Sequence, residues 1–288
     1  MPSHPHVLIA TLGGQPQVVT FTLDLLLSEG FPISAVFVVH PKATAQSRLA
    51  HSLVQLNAEF MGKTYQAAGR AIHFHSCVLE RDNIPIDDIS DDTQADGTLD
   101  TLHRLIGDLK HQGYHIHLSV TGGRRLMSLL AIPVALFNFD RHDHIWHLYT
   151  PDALQKAAKD GQIMHAPPNA GLKLIRGPFI PLGAYTYDSH QPFRVAQEER
   201  YSQIKDQEHA RCNEVVQRAT SSQRKVLQAF ARGLRPQQVA DELCITLATV
   251  NTHKTALFSH CHAVWNIPEE ERLTYHFLAT KFADFFAE

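Results

Sequence analysis

The chain has 288 residues, 44% of them hydrophobic, and carries a formal net charge of −3 with a pI near 6.7. This length accommodates two ordinary domains, each with a core of its own. The charge excludes a general polycation, so any contact with nucleic acid needs a local basic patch.

The cysteine pattern and the amino-terminal residues predict a compartment. The four cysteines are widely spaced and none forms a C-x-x-C pair: Cys77, Cys212, Cys244 and Cys261. Reduced thiols in a cytoplasmic protein fit this pattern best. The chain opens without a basic segment followed by a long apolar one, and no apolar run reaches the roughly 18 residues of a membrane span. We therefore expect no export and no membrane partner.

Strands and helices alternate through residues 1–150. Short apolar runs predict strands at residues 7–10, 33–39, 71–79, 115–120 and 145–149. Apolar residues at helical spacing predict helices at residues 16–28, 43–60, 98–110 and 124–139. The acidic residues 87–96 are expected to form a solvated surface segment that stays out of any polyphosphate pocket. The alternation predicts an α/β Rossmann-like domain whose mainly parallel sheet is covered on both faces.

Beyond Pro151 the alternation loosens. Residues 166–188 are rich in Pro, Gly and Tyr and are interpreted as an extension of the first domain, with a strand-like stretch at 172–175. Residues 198–218 have the polar character of a helical connector, and an all-helical unit follows from residue 220. The predicted domains are a ligand-binding domain over 1–190, a connector over 191–218 and a small all-α helix-turn-helix domain over 219–288.

Two glycine turns follow predicted strands. The first is Thr11-Leu12-Gly13-Gly14-Gln15, and the second is Thr121-Gly122-Gly123-Arg124-Arg125. Ligands gather at the carboxyl ends of parallel strands, so we expect the two turns to lie close together. Glycine lets a phosphate approach the backbone, a helix amino terminus supplies N–H donors, and adjacent arginines add fixed positive charge.

The turns also have a plainer interpretation. A Gly-Gly pair after a strand is often only a tight turn. Neither turn has the spacing of a dinucleotide-binding or P-loop motif, so the sequence does not support an NAD or ATP site. Folding does not require two arginines at the start of an apolar helix, whereas a phosphate ligand accounts for them. The second turn is thus the stronger candidate for a phosphate site.

The second turn carries a resemblance to a known family. The segment Ser119-Val120-Thr121-Gly122-Gly123-Arg124-Arg125-Leu126-Met127-Ser128, followed by Ala135-Leu136-Phe137, Asp143 and His147-Leu148, resembles the pattern of a CRISPR-associated Rossmann-like (CARF) family. The turn from Leu12 to Val19 is a second anchor, so residues 1–150 follow the family order. The resemblance implies a homodimer whose CARF domains share a pocket for cyclic tetra-adenylate or cyclic hexa-adenylate. Many members are ring nucleases that cleave this messenger. Arg125 stands where the pattern has lysine, so a catalytic lysine is not carried over.

Such a pocket can cleave RNA when the ligand's own 2′-hydroxyl attacks the neighbouring phosphodiester. The protein then supplies only position and charge stabilisation. In this interpretation Arg124 or Arg125 is the cation, the N–H groups of Gly122 and Gly123 cradle the phosphate, and Thr11 or Gln15 orients the hydroxyl. The candidate catalytic residues are Thr11, Gln15, Arg124 and Arg125, and the candidate ligand-binding residues are Leu12, Gly13, Gly14, Thr121, Gly122 and Gly123. We expect no cofactor. The alternative function is a regulator that retains the ring and changes the spacing of two helix-turn-helix domains on DNA.

Twenty histidines raise the question of a metal site. His73 with His75, and His115 with His117, alternate on strands, so each pair shares one face of the sheet. His260-Cys261-His262 lacks the wider spacing of a zinc finger. We expect these side chains to be packed or solvated and expect no metal.

The carboxy-terminal residues predict a helix-turn-helix. Ser221 and Ser222 start a helix that Gly233 ends, Pro236 opens a second, and residues 248–260 form a third. The unit resembles the LuxR/GerE-type DNA-binding domain through Arg232-Gly233-Leu234-Arg235, Val239-Ala240, Leu243, Ile245-Thr246, Thr249-Val250 and His253. The candidate DNA-binding residues are Thr249, Asn251, His253 and Lys254. Lys254 is their single permanent cation, and Cys244 replaces the usual turn glycine. Two interpretations stay open: the domain binds double-stranded DNA, or it only dimerises or shields the CARF pocket.

Overall fold

Strand and helix alternate through residues 6–177 of the computed structural model, which describes residues 4–61, 64–181 and 189–287. The strands are β1 (His6–Thr11), β2 (Ile33–His40), β3 (Thr64–Tyr65), β4 (Arg70–Ala71), β5 (His73–Val78), β6 (Glu80–Arg81), β7 (Ile84–Pro85), β8 (His115–Ser119), β9 (His144–Tyr149) and β10 (Lys173–Gly177). The helices of this part are α1 (Gln17–Ser28), α2 (Arg48–Glu59), α3 (Asp92–His111), α4 (Arg125–Asn138) and the short α5 (Asp152–Ala157), which leads into a 3-10 turn at Lys159–Gly161.

Six of these strands form one sheet in the order β10-β9-β8-β1-β2-β5. The pairs from β5 to β9 are parallel, and β10 is an antiparallel edge strand on β9. Side chains of β1 alternate between two cores: Val7 and Ile9 pack with α3 and α4, whereas Leu8 and Ala10 pack with α1 and α2. The predicted α/β class with a mainly parallel sheet covered on both faces is confirmed.

The acidic segment differs from the expectation. Asp91 caps a helix, because its side chain accepts a hydrogen bond from the backbone N–H of Gln94 at 2.8 Å, and α3 therefore begins at Asp92. Residues 92–96 are thus helical rather than part of a loop. The capping hydrogen bond of Asp91 sets the start of α3, which lies six residues before the predicted start at residue 98.

The strand order places a topological switch point between β1 and β8. From β1 the chain proceeds through β2 to β5 on one side, and β8 is followed by β9 on the other side. The helix after β1 packs in one core and the helix after β8 packs in the other. In such sheets a crevice opens at the carboxyl ends of the two strands, where ligands bind. Both glycine turns leave the sheet at this crevice.

The chain divides into two compact units, Met1–Glu198 and Glu199–Glu288. The long helix α6 (Phe193–Arg218) is followed by α7 (Ser221–Ala231), α8 (Pro236–Glu242), α9 (Leu247–Trp265) and α10 (Tyr275–Ala287). The core of the second unit joins α7, α8, α9 and α10 through Phe230, Val239, Leu257 and Phe282. The sequence-based boundaries at residues 190 and 218 stay a prediction.

Candidate functional site

The two glycine turns lie against each other, as the sequence predicts. A Cβ atom on Gly13 would lie 3.3 Å from the Cα of Gly123, and a Cβ on Gly122 would lie only 2.1 Å from the carbonyl oxygen of Thr11. Gly123 has a φ of +77°, which favours glycine. Glycine at 122 and 123 is therefore required by the close approach of the turns, whatever ligand they bind.

Two threonines fix the turns. The Thr11 hydroxyl donates to the carbonyl oxygen of Gly122 at 2.5 Å, and the Thr121 hydroxyl accepts from the backbone N–H of Leu148 at 2.6 Å. Thr11 and Leu12 are each 1% exposed, and Leu12 donates its backbone N–H to Val39 at 2.8 Å. Thr11 thus joins the two turns from beneath.

A cavity of about 680 Å³ opens above the turns. Six of the sequence-predicted site residues line it: Gly13, Gly14, Gln15, Thr121, Gly122 and Gly123. Residues that the sequence analysis did not select also line it, among them Gln17, His147, Tyr149, Lys156 and Lys159. His147 and Tyr149 lie on β9, and the two lysines lie in the segment that follows it. The rule that ligands bind at the carboxyl ends of parallel strands could have identified this region from the sequence.

The charge of the cavity wall is one-sided. Among the described residues that line it, Lys156 and Lys159 are cations and none is acidic. Two helices begin at its edge, α1 at Gln17 and α4 at Arg125, and neither has a hydrogen bond from a capping side chain. The positive dipole ends of these two helices favour an anion.

Arg124 and Arg125 stand at the start of α4 but do not line this cavity. The Nη1 of Arg124 lies 3.0 Å from the Oδ2 of Asp88, in a pair whose side chains are 61% and 39% exposed. Arg125 is exposed. The acidic segment thus contacts the start of α4 through Asp88, but Asp88 does not line the cavity, and the expectation that the segment stays out of the pocket stays a prediction.

Gln15 is engaged with the segment after α5. Its Nε2 donates to the Oδ1 of Asp160 at 3.0 Å, and its Oε1 accepts from the backbone N–H of Asp160 at 3.1 Å. The guanidinium of Arg48 also pairs with Asp160 and holds the pKa of that carboxyl below its ordinary value. Gln15 therefore fixes a wall of the cavity.

A histidine bridge secures the same segment further along. His165 Nδ1 lies 2.8 Å from Asp24 Oδ2, and its Nε2 lies 3.0 Å from Glu59 Oε2. Burial lowers the pKa of His165, but the hydrogen bonds to the two carboxylates outweigh it and the pKa is raised. The segment is thus tied to both α1 and α2.

A cluster of histidines, His6, His115, His117 and His144, lies at the opposite, amino end of the sheet. His6 Nδ1 lies 2.9 Å from His117 Nε2, and Trp146 donates its indole N–H to His117 Nδ1 at 3.0 Å. The rings of His117 and His144 stack at 5.1 Å. Burial, reinforced by the neighbouring histidines, lowers the pKa of His117 to about 3 and that of His6 to about 4. Within the described residues, no group of three or more His, Cys, Asp or Glu side chains is arranged to hold a metal ion.

The predicted DNA-binding residues lie on α9. Its N-cap is Thr246, whose hydroxyl lies 2.8 Å from the Thr249 hydroxyl. Asn251 is exposed, and Lys254 donates its Nζ to the Asn251 Oδ1 at 2.8 Å. His253 is half-buried. The four residues lie on one helix, which begins one residue before and ends five residues after the predicted range 248–260.

The turn before α9 keeps its shape without glycine. Cys244 adopts a φ of +54°, a conformation that glycine favours. The substitution that the sequence analysis noted at this turn therefore strains the backbone locally while the helix-turn-helix is retained.

Known proteins give the following matches. A type III CRISPR defence DNA nuclease activated by cyclic oligoadenylate matches with 13% identity and a TM-score of 0.32, over 51% of this chain and 19% of its own. Csm6 from Enterococcus italicus, bound to cyclic hexa-2′-fluoro-hexa-dAMP, matches with 14% identity and a TM-score of 0.38, over 96% of this chain and 60% of its own. The response regulator StyR matches with 14% identity and a TM-score of 0.24, over 98% of this chain and all of its own. The chain thus spans less than two thirds of the first two structures, and no curated protein matches it significantly.

Two family models match the chain. Residues 219–261 match the luxR family of bacterial regulatory proteins, GerE, which covers α7, α8 and most of α9. In the described residues no helix is long and apolar enough to cross a membrane. Residues 15–208 match the model described as CRISPR-associated protein NE0113. The two matches confirm the predicted resemblance to a CRISPR-associated protein joined to a LuxR-type helix-turn-helix. Because the CRISPR-associated family model spans more than half of the sequence, the chain belongs to the Cas_NE0113 family of CRISPR-associated proteins.

Proposed function

We propose that the chain binds cyclic oligoadenylate in the cavity above the two glycine turns and cleaves the ring with the ring's own 2′-hydroxyl. The observation that carries the proposal is the cavity itself: both glycine turns form its floor, and its described wall holds cations and no carboxylate. Membership in a CRISPR-associated family makes a signalling oligonucleotide the expected polyanion. The preferred ring is cyclic tetra-adenylate.

The proposed chemistry needs no nucleophile from outside the ligand. The 2′-hydroxyl loses its proton as its oxygen attacks the adjacent phosphorus, the bond from phosphorus to the 5′-oxygen breaks, and the 5′-oxygen takes up a proton, so the product carries a 2′,3′-cyclic phosphate and a 5′-hydroxyl. The N–H groups of Gly122 and Gly123 would bind the non-bridging oxygens, and Arg124 and Arg125 would neutralise the charge that develops on them. Thr11 would act by positioning, because its hydroxyl is already committed to the Gly122 carbonyl.

A homodimer completes the proposed site. A ring with two-fold symmetry is best bound by two copies of the same turns. Helix α4, which starts at the second turn, presents Leu126 and Leu129 to solvent with 38% and 63% of their surface exposed. These leucines lie three residues apart on one helix face and would form the contact between the two copies.

A second candidate function rests on the luxR-family match at residues 219–261. In this alternative the ring is retained, and its binding changes how two α9 helices are spaced on double-stranded DNA. The two functions differ in the fate of the ring.

The fate of the ring is measured by incubating an excess of the purified chain with radiolabelled cyclic tetra-adenylate in EDTA. Conversion to linear products with a 2′,3′-cyclic phosphate supports cleavage. Retention of intact ring on the protein supports the regulator. Failure to retain or convert either cyclic tetra-adenylate or cyclic hexa-adenylate contradicts both.

A further inference from the structure

We propose that Lys156 and Lys159 bind phosphates of the ligand in the cavity that the glycine turns also line, an inference that rests on the proposed function. Lys156 lies in α5 and Lys159 starts the 3-10 turn that follows. Both side chains are exposed and line the same cavity as Gly122 and Gly123. Among the described residues neither lysine forms a salt bridge, and the nearest charge that acts on Lys159 is the Asp160 carboxylate, which is already paired with Arg48.

The lysines are held in place. Asp160 follows Lys159 directly and is bound by both Gln15 and Arg48. Gly161 packs so closely that a Cβ atom there would lie 2.6 Å from the Gln55 side chain and 2.8 Å from Pro16. The segment that carries the lysines is therefore attached to the first glycine turn and to α2.

One buried hydrogen-bond acceptor in the cavity wall has no partner. Gln17 is only 4% exposed, and it donates its Nε2 to Gln15 Oε1 at 2.6 Å. Its own Oε1 has no hydrogen-bond partner in the described structure. A buried unpaired acceptor is costly, but this oxygen is closed to solvent, so a ligand in the cavity would reach it only after the Gln17 side chain moves.

The lysines and the turns together require at least two phosphates. The glycine turn and the helix amino termini form one anion-binding edge, and Lys156 with Lys159 form a second edge. A ligand with successive phosphodiesters offers a separate phosphate to each edge, whereas a nucleoside monophosphate offers only one. The inferred ligand class is therefore an oligonucleotide.

The test compares Lys156→Ala, Lys159→Ala and the double variant with the full-length wild type, by equilibrium binding of cyclic tetra-adenylate over a range of salt. Each single change is expected to weaken binding about tenfold at low salt. The double change should also reduce the slope of log affinity against log salt by about 1.4, because each lost contact to single-stranded nucleic acid removes about 0.7. Lys173→Ala, an exposed lysine outside the cavity, is the matched control and should bind like the wild type.

The Asp160→Ala variant tests whether the position of the lysine segment matters for binding or only its charge. Removal of this carboxylate makes the cavity edge more positive, so a purely electrostatic role of the segment predicts tighter binding. The inference predicts weaker binding, because the lysines lose their attachment to Gln15 and Arg48. A double lysine variant with wild-type affinity and wild-type salt slope overturns the inference.

A second probe distinguishes this inference from the proposed function. If wild-type protein binds neither cyclic tetra-adenylate nor cyclic hexa-adenylate, the proposed function fails, and inorganic tripolyphosphate is titrated instead. Binding of tripolyphosphate that the double lysine variant loses still supports the phosphate role of the lysines. Binding of neither probe, or equal binding of tripolyphosphate by both proteins, overturns it.

Discussion

The Thr11 hydroxyl lies 2.5 Å from the carbonyl oxygen of Gly122, and this hydrogen bond connects two turns that are 111 residues apart in the sequence. The Ser128 hydroxyl lies 3.3 Å from the same carbonyl oxygen. Thr11 is 1% exposed. The bond therefore belongs to the buried support of the cavity floor rather than to its open surface.

Thr11→Val is expected to destabilise the protein by about 1–3 kcal/mol, because a buried carbonyl loses its main donor. Thr11→Ser keeps the hydroxyl and should be close to the wild type. Urea unfolding of the full chain measures both variants. If Thr11→Val were as stable as the wild type but lost ring cleavage at unchanged affinity, Thr11 would be a catalytic residue and not a positioning residue.

Arg124→Ala combined with Arg125→Ala is expected to weaken binding of cyclic tetra-adenylate about tenfold or more, while the fold survives. Arg70→Ala, an exposed arginine distant from α4 in the sequence, is the control. Asp88→Asn should tighten binding by up to about fivefold, since it frees Arg124 from an exposed ion pair of at most about 1 kcal/mol. Isothermal titration measures all three. Unchanged affinity in the double arginine variant would contradict the phosphate role of the second turn.

The histidines at the amino end of the sheet predict acid sensitivity. His117 has a folded pKa of about 3 and an ordinary pKa of 6.5, so below pH 6.5 the unfolded chain binds a proton that the folded chain excludes. Its contribution is fully present above pH 6.5 and is lost as the pH falls, at about 1.4 kcal/mol per pH unit. Urea unfolding at pH 7 and pH 5 should show a smaller loss for His117→Asn than for the wild type. Equal losses would show that this residue does not carry the effect.

The exposed leucines of α4 predict a dimer. Leu129→Asp should convert the full-length protein from dimer to monomer, because a carboxylate would be buried without a partner in the contact. Val54→Asp changes a residue on α2 that is 71% exposed, and it should leave the dimer intact. Light scattering gives the mass of each variant. A wild-type monomer that binds one ring per chain would rule out the shared pocket.

If α9 is the DNA-reading helix of the luxR-family unit, the protein is expected to bind DNA in a sequence-dependent way, at paired half-sites about one helical turn apart. Lys254→Ala should weaken binding to all duplexes and reduce its dependence on salt, whereas Asn251→Ala should reduce the preference between sequences. Lys225→Ala, on α7, is the control. Selection from random duplexes at low salt, with and without cyclic tetra-adenylate, measures these effects. If no sequence is enriched in either condition, the domain has a structural role only.

Periodicity and local motifs predicted much of the fold. The strands of the parallel sheet, the helices between them and the helix-turn-helix are each encoded by short-range patterns of apolar residues and turn residues. The start of α3 was missed because a single capping side chain, Asp91, set it. Both glycine turns were found because their composition is local.

By itself, the sequence determined that strands alternate with helices, that two glycine turns end strands β1 and β8, and that a LuxR-like unit follows. The tertiary structure alone decided which side chains meet: Asp88 with Arg124, Gln15 with Asp160, and Lys156 with the cavity of the second turn. The physical reason is that hydrophobic periodicity is a property of neighbouring residues, whereas the order of strands in a sheet places distant loops at one edge. No local sequence pattern specifies those partners. The charged residues around the candidate site could therefore be identified only once the order of the strands in the sheet was known.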